Sequence, residues 1–277
     1  MAEEQFNIEE NPWLKVAQMY IPSKKDCLYG ENNYFCEGDR NAIDNYNKKA
    51  SGTTDEITTN IPAEPWWGNP LKARLIILSL NPGYVPEVNK TLALLMQSND
   101  AIRFQTIAYK AKTLRLAVNS FLPVKEDDVI DAPVSCRDCI NMLGDWYWVK
   151  MLRQLQKDVE KKNPMIDEEE FYKQIALIEY CGYSSETAKL SLPKSESEEG
   201  SYVFLKKLIS HISKKEDILF LIMRDADRWD GLLGTANCST NKILHRKPKS
   251  RSQYITPGNF ENDVYNSIVE FVAYKKI

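Results

Sequence analysis

The sequence predicts an α/β fold, a three-layer α/β/α sandwich around a four-stranded parallel sheet with strand order 2-1-3-4. Four short apolar runs have the length and the boundaries of buried strands; they are Leu75–Leu80, Ile175–Tyr180, Ile218–Met223 and Lys242–His245. Segments with helical spacing separate these runs. Strands joined through helices pair in parallel, because only antiparallel neighbours can be joined by a tight hairpin. Right-handed crossovers then give the stated order.

The first apolar run, Leu75–Leu80, predicts the central strand because it is rich in Leu and Ile and ends abruptly at Asn81. Pro82 cannot donate a ladder hydrogen bond, and Gly83 permits backbone angles that are closed to other residues, so the chain turns there. Asn81 and Tyr84 are therefore expected at the carboxyl end of a buried strand. Ligands of open α/β sheets bind at that end.

The remaining elements are predicted from composition and spacing. Pro12–Tyr20 indicates a short helix, whereas Asp26–Asn60 is rich in Asn, Gly, Asp and Thr and indicates irregular structure. Trp66 and Trp67 lead into the first strand, either as core packing or as a shelf for a ligand. Helical spacing predicts further helices at Thr91–Ala117, Trp146–Val159, Asp167–Tyr172 and Tyr202–Ile212, from Ala226 onward, and at Asn262–Tyr274.

The composition is that of an ordinary globular protein, with 43% hydrophobic and 27% charged residues. No repeat or clean linker divides the 277 residues, so we expect residues 1–65 to be an N-terminal elaboration packed on one α/β domain at 66–277. No apolar run approaches the roughly 20 residues that span a bilayer. The N-terminus is acidic, whereas a signal peptide is basic and then apolar. We therefore expect a cytoplasmic monomer without a membrane partner.

The six cysteines are scattered through a long chain, which indicates reduced thiols. Cys136 and Cys139 form a C-x-x-C pair that, with Cys27 and Cys36, has the ligand types of a zinc site. The second pair has a wide gap and no neighbouring His, so ordinary thiols are the favoured interpretation. We expect no metal and no cofactor.

One basic loop stands out in a chain whose net charge of −3 argues against indiscriminate nucleic-acid binding. It follows the fourth predicted strand and holds four basic residues and no acidic one, namely Arg246, Lys247, Lys249 and Arg251. A solvated surface loop is one interpretation and contact with phosphates is the other. Its place at a strand end favours phosphate contact, with DNA as the expected partner.

Two motifs resemble those of the uracil-DNA glycosylase superfamily. LNPGY at residues 80–84 resembles the first motif of that superfamily, in which a strand ends in Asp or Asn followed by Pro and an aromatic or Gly-aromatic pair. HRKPKS at residues 245–250 resembles the second, His-Pro-Ser-Pro-type motif, although Arg246 and Lys247 come before the Pro. The resemblance covers roughly Trp66–Tyr274. It implies a DNA glycosylase that hydrolyses the N-glycosidic bond of a flipped-out damaged or modified base, in repair or in defence against phage.

The resemblance assigns two catalytic roles. Asn81 matches the residue that holds the attacking water, and an amide orients water without accepting a proton. His245 matches the residue that hydrogen-bonds the developing anion on the base. The alternatives are an Asx-type turn at Asn81 and a structural histidine at His245.

The end of the second strand is where specificity is expected. Uracil-reading members carry Asn there, whereas this chain offers Glu179 and Tyr180, followed by Tyr183. A glutamate accepts a hydrogen bond from an exocyclic amine and repels the O4 edge of uracil unless it is protonated, so uracil specificity does not follow. Tyr84 joins these three as candidate base-binding residues, with core packing as the alternative for the aromatic rings. A non-catalytic nucleic-acid or nucleotide-binding module and an enzyme acting on free nucleosides remain open.

Overall fold

The computed structural model describes residues 6–19, 35–59, 63–83, 145–187, 193–248, 250 and 252–274. Its strands are β1 (Trp66–Trp67), β2 (Leu75–Ser79), β3 (Ile175–Glu179), β4 (Leu219–Ile222) and β5 (Ile243–His245). Its α-helices are α1 (Trp13–Met19), α2 (Arg40–Ala50), α3 (Asp145–Lys162), α4 (Glu168–Lys173), α5 (Ser201–Ser213), α6 (Ala226–Thr235) and α7 (Asn262–Ala273).

The strands in the described part of the chain form one five-stranded sheet in the order β1-β3-β2-β4-β5. Strands β3, β2, β4 and β5 pair in parallel. The predicted α/β class is therefore confirmed, and these four strands lie in the predicted order. The predicted count of four strands is wrong, because β1 pairs antiparallel with β3 at one edge.

The extra edge strand has a local cause. Gly68 turns the chain with a φ of 72°, and a Cβ at this position would lie 2.4 Å from the carbonyl oxygen of Ile175. Only glycine fits so close to the neighbouring backbone. The turn lets the preceding residues run back along β3, where the Glu179 N–H donates to the Pro65 carbonyl oxygen at 2.9 Å. A strand of two residues has no period that a sequence pattern can display.

The sheet is covered on both faces, which accounts for the continuous apolar runs of its central strands. Every residue of β2 is buried. Ile76 and Leu78 face a first core shared with α1, α2, α5 and α6, whereas Leu75 and Ile77 face a second core shared with α3, α4 and α7. The helices thus form one layer on each side of the sheet.

The helices agree with the sequence patterns except in the N-terminal segment. The expectation of irregular structure over Asp26–Asn60 is wrong for α2, whose buried face carries Ile43, Tyr46 and Ala50. Apart from Ala42, polar and charged residues fill its other positions and conceal that spacing. The helix predicted at Thr91–Ala117 lies outside the described residues. No helix in the described ranges is both long and apolar enough to cross a membrane.

The N-terminal segment docks on the sheet through a buried polar network. The Tyr183 hydroxyl donates to Asp39 Oδ2 at 2.6 Å and accepts from the Cys36 N–H at 3.0 Å. Asp39 Oδ1 also accepts from the N–H of Ser201 at the start of α5. The ring of Trp13 packs on Tyr183 with the centroids 5.2 Å apart. These contacts tie α1 and residues 35–50 to the end of β3.

Candidate functional site

The candidate site lies where β2 and β3 end side by side. Ser79 pairs with Glu179 at the last position of the parallel ladder. The pairing continues beyond the strands, because the Cys181 N–H donates to the Leu80 carbonyl oxygen at 2.9 Å. The segments that follow the two strands therefore leave the sheet together, and Asn81 lies within them at the carboxyl edge.

Asn81 is held with its amide group in a fixed orientation. Its side-chain Nδ2 donates to the Pro82 carbonyl oxygen at 3.1 Å and to Ser185 Oγ at 2.9 Å. Both amide hydrogens are thereby engaged, and no donor among the described residues contacts the carbonyl oxygen Oδ1. The residue is 6% exposed. This oxygen is the acceptor with which an amide orients a water molecule.

A chain of hydrogen bonds connects Asn81 to the N-terminal segment. Ser185 Oγ donates to the carbonyl oxygen of Thr187. Thr187 Oγ1 donates to the buried Asp55 carboxylate and lies 2.9 Å from Thr54 Oγ1. The Thr187 N–H also donates to the Thr54 carbonyl oxygen at 2.8 Å. Residues 54–55 therefore help to fix the orientation of the Asn81 amide.

Glu179 is a buried carboxyl group at the same edge. The pKa of Glu179 is raised to about 8, mainly because burial disfavours the charged form. The charge of Glu64 acts in the same direction, whereas a hydrogen bond from Ser79 and the charge of Arg224 lower the pKa. Its Oε2 atom is buried and has no hydrogen-bond partner among the described residues. Below about pH 8 the carboxyl group is therefore mainly neutral and offers an O–H donor.

Tyr180 lies on the opposite face of the sheet from Glu179, because successive side chains of a strand alternate. Its ring contacts Trp229 edge-on with the centroids 5.3 Å apart, and the Arg228 guanidinium lies 5.6 Å from the ring centroid. Tyr183 is likewise buried, and its hydroxyl donates a hydrogen bond to Asp39. The structure thus assigns both rings to packing in the first core. Tyr84 lies outside the described residues.

His245 is at the same edge of the sheet but is not adjacent to Asn81. It pairs with Ile222 of β4, so two strand spacings, roughly 10 Å, separate its backbone from β2. Its side chain is 45% exposed, and Nε2 lies 3.5 Å from Asp230 Oδ1 on α6. A ligand that contacts both Asn81 and His245 must extend across the end of β4.

The basic loop is partly engaged with the protein itself. Arg246 Nη1 donates to the Ser252 carbonyl oxygen at 2.7 Å. Lys247 Nζ lies 3.8 Å from Glu261 Oε2. Lys249 and Arg251 lie outside the described residues.

Sequence reasoning missed three polar residues of this edge, namely Asp55, Ser185 and Arg228. The Ser-Ser pair after the second strand was a usable signal for Ser185. No signal marked Asp55, because it belongs to the segment expected to be irregular. The described residues contain no cluster of three side chains able to hold a metal ion. Cys36 is buried, and burial raises its pKa well above the ordinary value; Cys27, Cys136 and Cys139 lie outside the described residues.

Comparisons with known protein families, with curated proteins and with solved structures found no match.

Proposed function

We propose that this chain is a DNA glycosylase-like enzyme that hydrolyses the N-glycosidic bond of a flipped-out damaged or modified base. The observation that carries the proposal is the fixed amide of Asn81 at the carboxyl end of the central strand, whose two donated hydrogen bonds leave the carbonyl oxygen as the free acceptor among the described contacts. The LNPGY motif and its resemblance to the uracil-DNA glycosylase superfamily support the same reaction.

The reaction follows from these groups. A water molecule that donates to Asn81 Oδ1 is oriented toward C1′ of the sugar. A bond forms between the water oxygen and C1′, the bond from C1′ to the base nitrogen breaks, and its electron pair leaves with the base. The proton released from the water ends on the departing base, since an amide cannot accept it at neutral pH. The products are a free base and an abasic sugar.

Glu179 supplies the group that reads the base. It belongs to the strand next to Asn81, and in its neutral form Oε2 donates a hydrogen bond to an acceptor on the base edge, where negative charge develops. In its ionised form the same oxygen accepts from an exocyclic amine instead. His245 and the basic loop are proposed to contact the far side of the base and the DNA backbone.

The test is an excision assay on oligonucleotides that contain uracil, hypoxanthine, xanthine or hydroxymethylated or glucosylated cytosine, followed by alkali to cleave abasic sites. The wild-type chain is expected to cleave at least one of these substrates, and Asn81→Ala is expected to lower the rate about 100-fold or more. Asn163→Ala is the matched control. It removes an amide that donates to the Ala273 carbonyl oxygen at 2.8 Å, away from the carboxyl edge.

A non-catalytic nucleic-acid-binding module is the second candidate, favoured by the position of His245 two strands from Asn81. It predicts that the oligonucleotides bind without cleavage across the whole panel. Equal rates for Asn81→Ala and Asn163→Ala would also reject the proposed role of Asn81. Turnover of free nucleosides alone would indicate an enzyme acting on small substrates.

A further inference from the structure

The solvent face of α3 carries only basic residues. The exposed positions of the helix between Val149 and Lys162 are all Lys or Arg, namely Lys150, Arg153, Lys157, Lys161 and Lys162. An α-helix turns once in 3.6 residues, so Lys150, Lys157 and Lys161 lie within about 40° of one another around the helix axis. They form a straight row roughly 16 Å long, at a rise of 1.5 Å per residue. These three lysines are called the α3 crest below.

No carboxylate in the described ranges forms an ion pair with a lysine of the crest. The two acidic residues of this part of α3 bond neutral groups instead. Asp158 Oδ2 accepts from the Tyr265 hydroxyl at 2.6 Å, and Glu160 Oε1 accepts from Gln156 Nε2 at 2.8 Å. Arg153 lies toward the acidic first turn of α4 and is therefore not counted in the crest. The positive charge of the crest is thus available to a partner.

The crest does not serve the stability of the helix. Lys157 follows Arg153 by four residues and precedes Lys161 by four. Like charges at this spacing lie on neighbouring turns and destabilise a helix. The opposite face of α3 holds the helix in place, because Leu152 and Leu155 are buried in the second core. A row of like charges in a chain with a net charge of −3 therefore indicates a polyanionic partner.

The crest begins beside the segment that follows the basic loop. Arg246 Nη1 donates to the Ser252 carbonyl oxygen at 2.7 Å, which holds this segment against the loop. The Ile255 N–H then donates to the carbonyl oxygen of Met151 at 3.1 Å. Met151 is the residue after Lys150, so the first lysine of the crest lies next to this contact. The basic loop and the crest are neighbouring positive surfaces.

We propose that the α3 crest binds the phosphate backbone of duplex DNA. Phosphates recur every 3.4 Å along each strand of a duplex, so the crest has the length of roughly five nucleotides. Lysines that contact phosphates position a duplex without reading its sequence. The choice of DNA as the polyanion rests on the proposed function, whereas binding at the crest does not require base excision.

A membrane surface fits the crest less well than DNA does. A helix that lies on a membrane inserts apolar side chains beneath its row of basic residues. In α3 those side chains are packed inside the protein, because Met151, Leu152, Leu155 and Val159 are buried in the second core. The crest therefore offers charge without an apolar face, as a phosphate backbone requires.

The test is a triple variant with Lys150→Gln, Lys157→Gln and Lys161→Gln, whose affinity for an undamaged duplex is measured by fluorescence anisotropy at several salt concentrations. The slope of log affinity against log salt concentration is expected to decrease in magnitude by up to about 2.7, since each phosphate contact contributes about 0.9. Affinity at low salt should fall about tenfold or more. The melting temperature should be unchanged or slightly higher, because the repulsion between neighbouring turns is relieved.

The matched control is a triple variant with Lys48→Gln, Lys49→Gln and Lys72→Gln. These lysines are also exposed and form no ion pair in the described ranges. Lys48 and Lys49 belong to the last turn of α2, on the other face of the sheet, and Lys72 precedes β2. Both triple variants have the same net charge, so the control is expected to keep the wild-type slope.

An unchanged slope in the crest variant, or an equal change in both triple variants, would overturn the proposal. Vesicles of anionic phospholipid provide the alternative probe. Vesicle binding that is lost in the crest variant while duplex binding is kept would assign the crest to a membrane and would also overturn it. Excision is measured separately on the same proteins. A chain that binds the duplex through the crest but cleaves no oligonucleotide refutes only the proposed function, and one that cleaves with an unchanged slope refutes only the role of the crest.

Discussion

At the scale of single residues, the buried carboxyl group of Glu179 makes stability depend on pH. Its folded-state pKa of about 8 lies above the ordinary value of 4.5. The folded protein therefore retains this proton between about pH 4.5 and pH 8, where the unfolded chain has lost it. Stability contributed by the neutral carboxyl group is fully present below pH 4.5 and is lost as the pH rises toward 8.

Glu179→Gln tests this linkage. Glutamine keeps the shape and cannot ionise, so the variant is expected to be more stable than wild type at pH 8, by about 1–3 kcal/mol. The two proteins should approach equal stability near pH 4.5. Urea denaturation at several pH values provides the measurement. A difference that stays constant from pH 5 to pH 8 would show that Glu179 does not titrate in this range.

At the scale of elements, the segment after β3 connects Asn81 to the N-terminal segment through hydrogen bonds. It therefore helps to fix the orientation of the Asn81 amide. Thr187→Val removes the hydroxyl that donates to Asp55 and retains the branched shape. We expect kcat on the best oligonucleotide to fall about 3- to 10-fold with little change in KM, because misplacing the oriented water affects the reacting geometry. Thr187→Ser restores the hydroxyl and should recover most of the rate. If Thr187→Ser does not recover kcat, the loss in Thr187→Val results from altered packing and not from the missing hydroxyl.

The basic loop is the second element with a testable role. If it contacts phosphates, the double variant with Lys247→Ala and Lys249→Ala should bind duplex DNA with a weaker dependence on salt. The slope of log affinity against log salt concentration should decrease in magnitude by up to about 1.8, since each phosphate contact contributes about 0.9. Melting temperature should change little, because a surface ion pair such as that of Lys247 with Glu261 contributes little to stability. His245→Ala serves as the comparison and should lower turnover without changing the slope. An unchanged slope in the lysine variant would indicate a solvated loop.

At the scale of the whole molecule, Tyr183 joins the N-terminal segment to the sheet. Tyr183→Phe removes the acceptor of the Cys36 N–H and the donor to Asp39 Oδ2, both buried. The free energy of unfolding is expected to fall by about 1–3 kcal/mol. Tyr172→Phe, which removes a buried hydroxyl that has no hydrogen-bond partner among the described residues, should change it far less. Urea denaturation of both variants makes the comparison, and equal effects would mean that the network does not stabilise docking.

The sequence by itself determined the parallel sheet and its order. The runs that form β2, β3 and β4 are buried on both faces, and burial on both faces requires a continuous apolar run that is visible without coordinates. The turn at Pro82 and Gly83 likewise fixed Asn81 at a strand end, because backbone restrictions of these residues are local.

Only the tertiary structure decided which side chains stand near each other. Asn81 and Ser185 are far apart in the chain, and no local pattern predicts the hydrogen bond between their side chains. The same holds for Tyr183, whose role as a buried link depends on Asp39, and for His245, whose distance from Asn81 depends on strand spacing across β4. Periodicity reports which face of an element is buried, whereas the partner on that face is set by long-range packing.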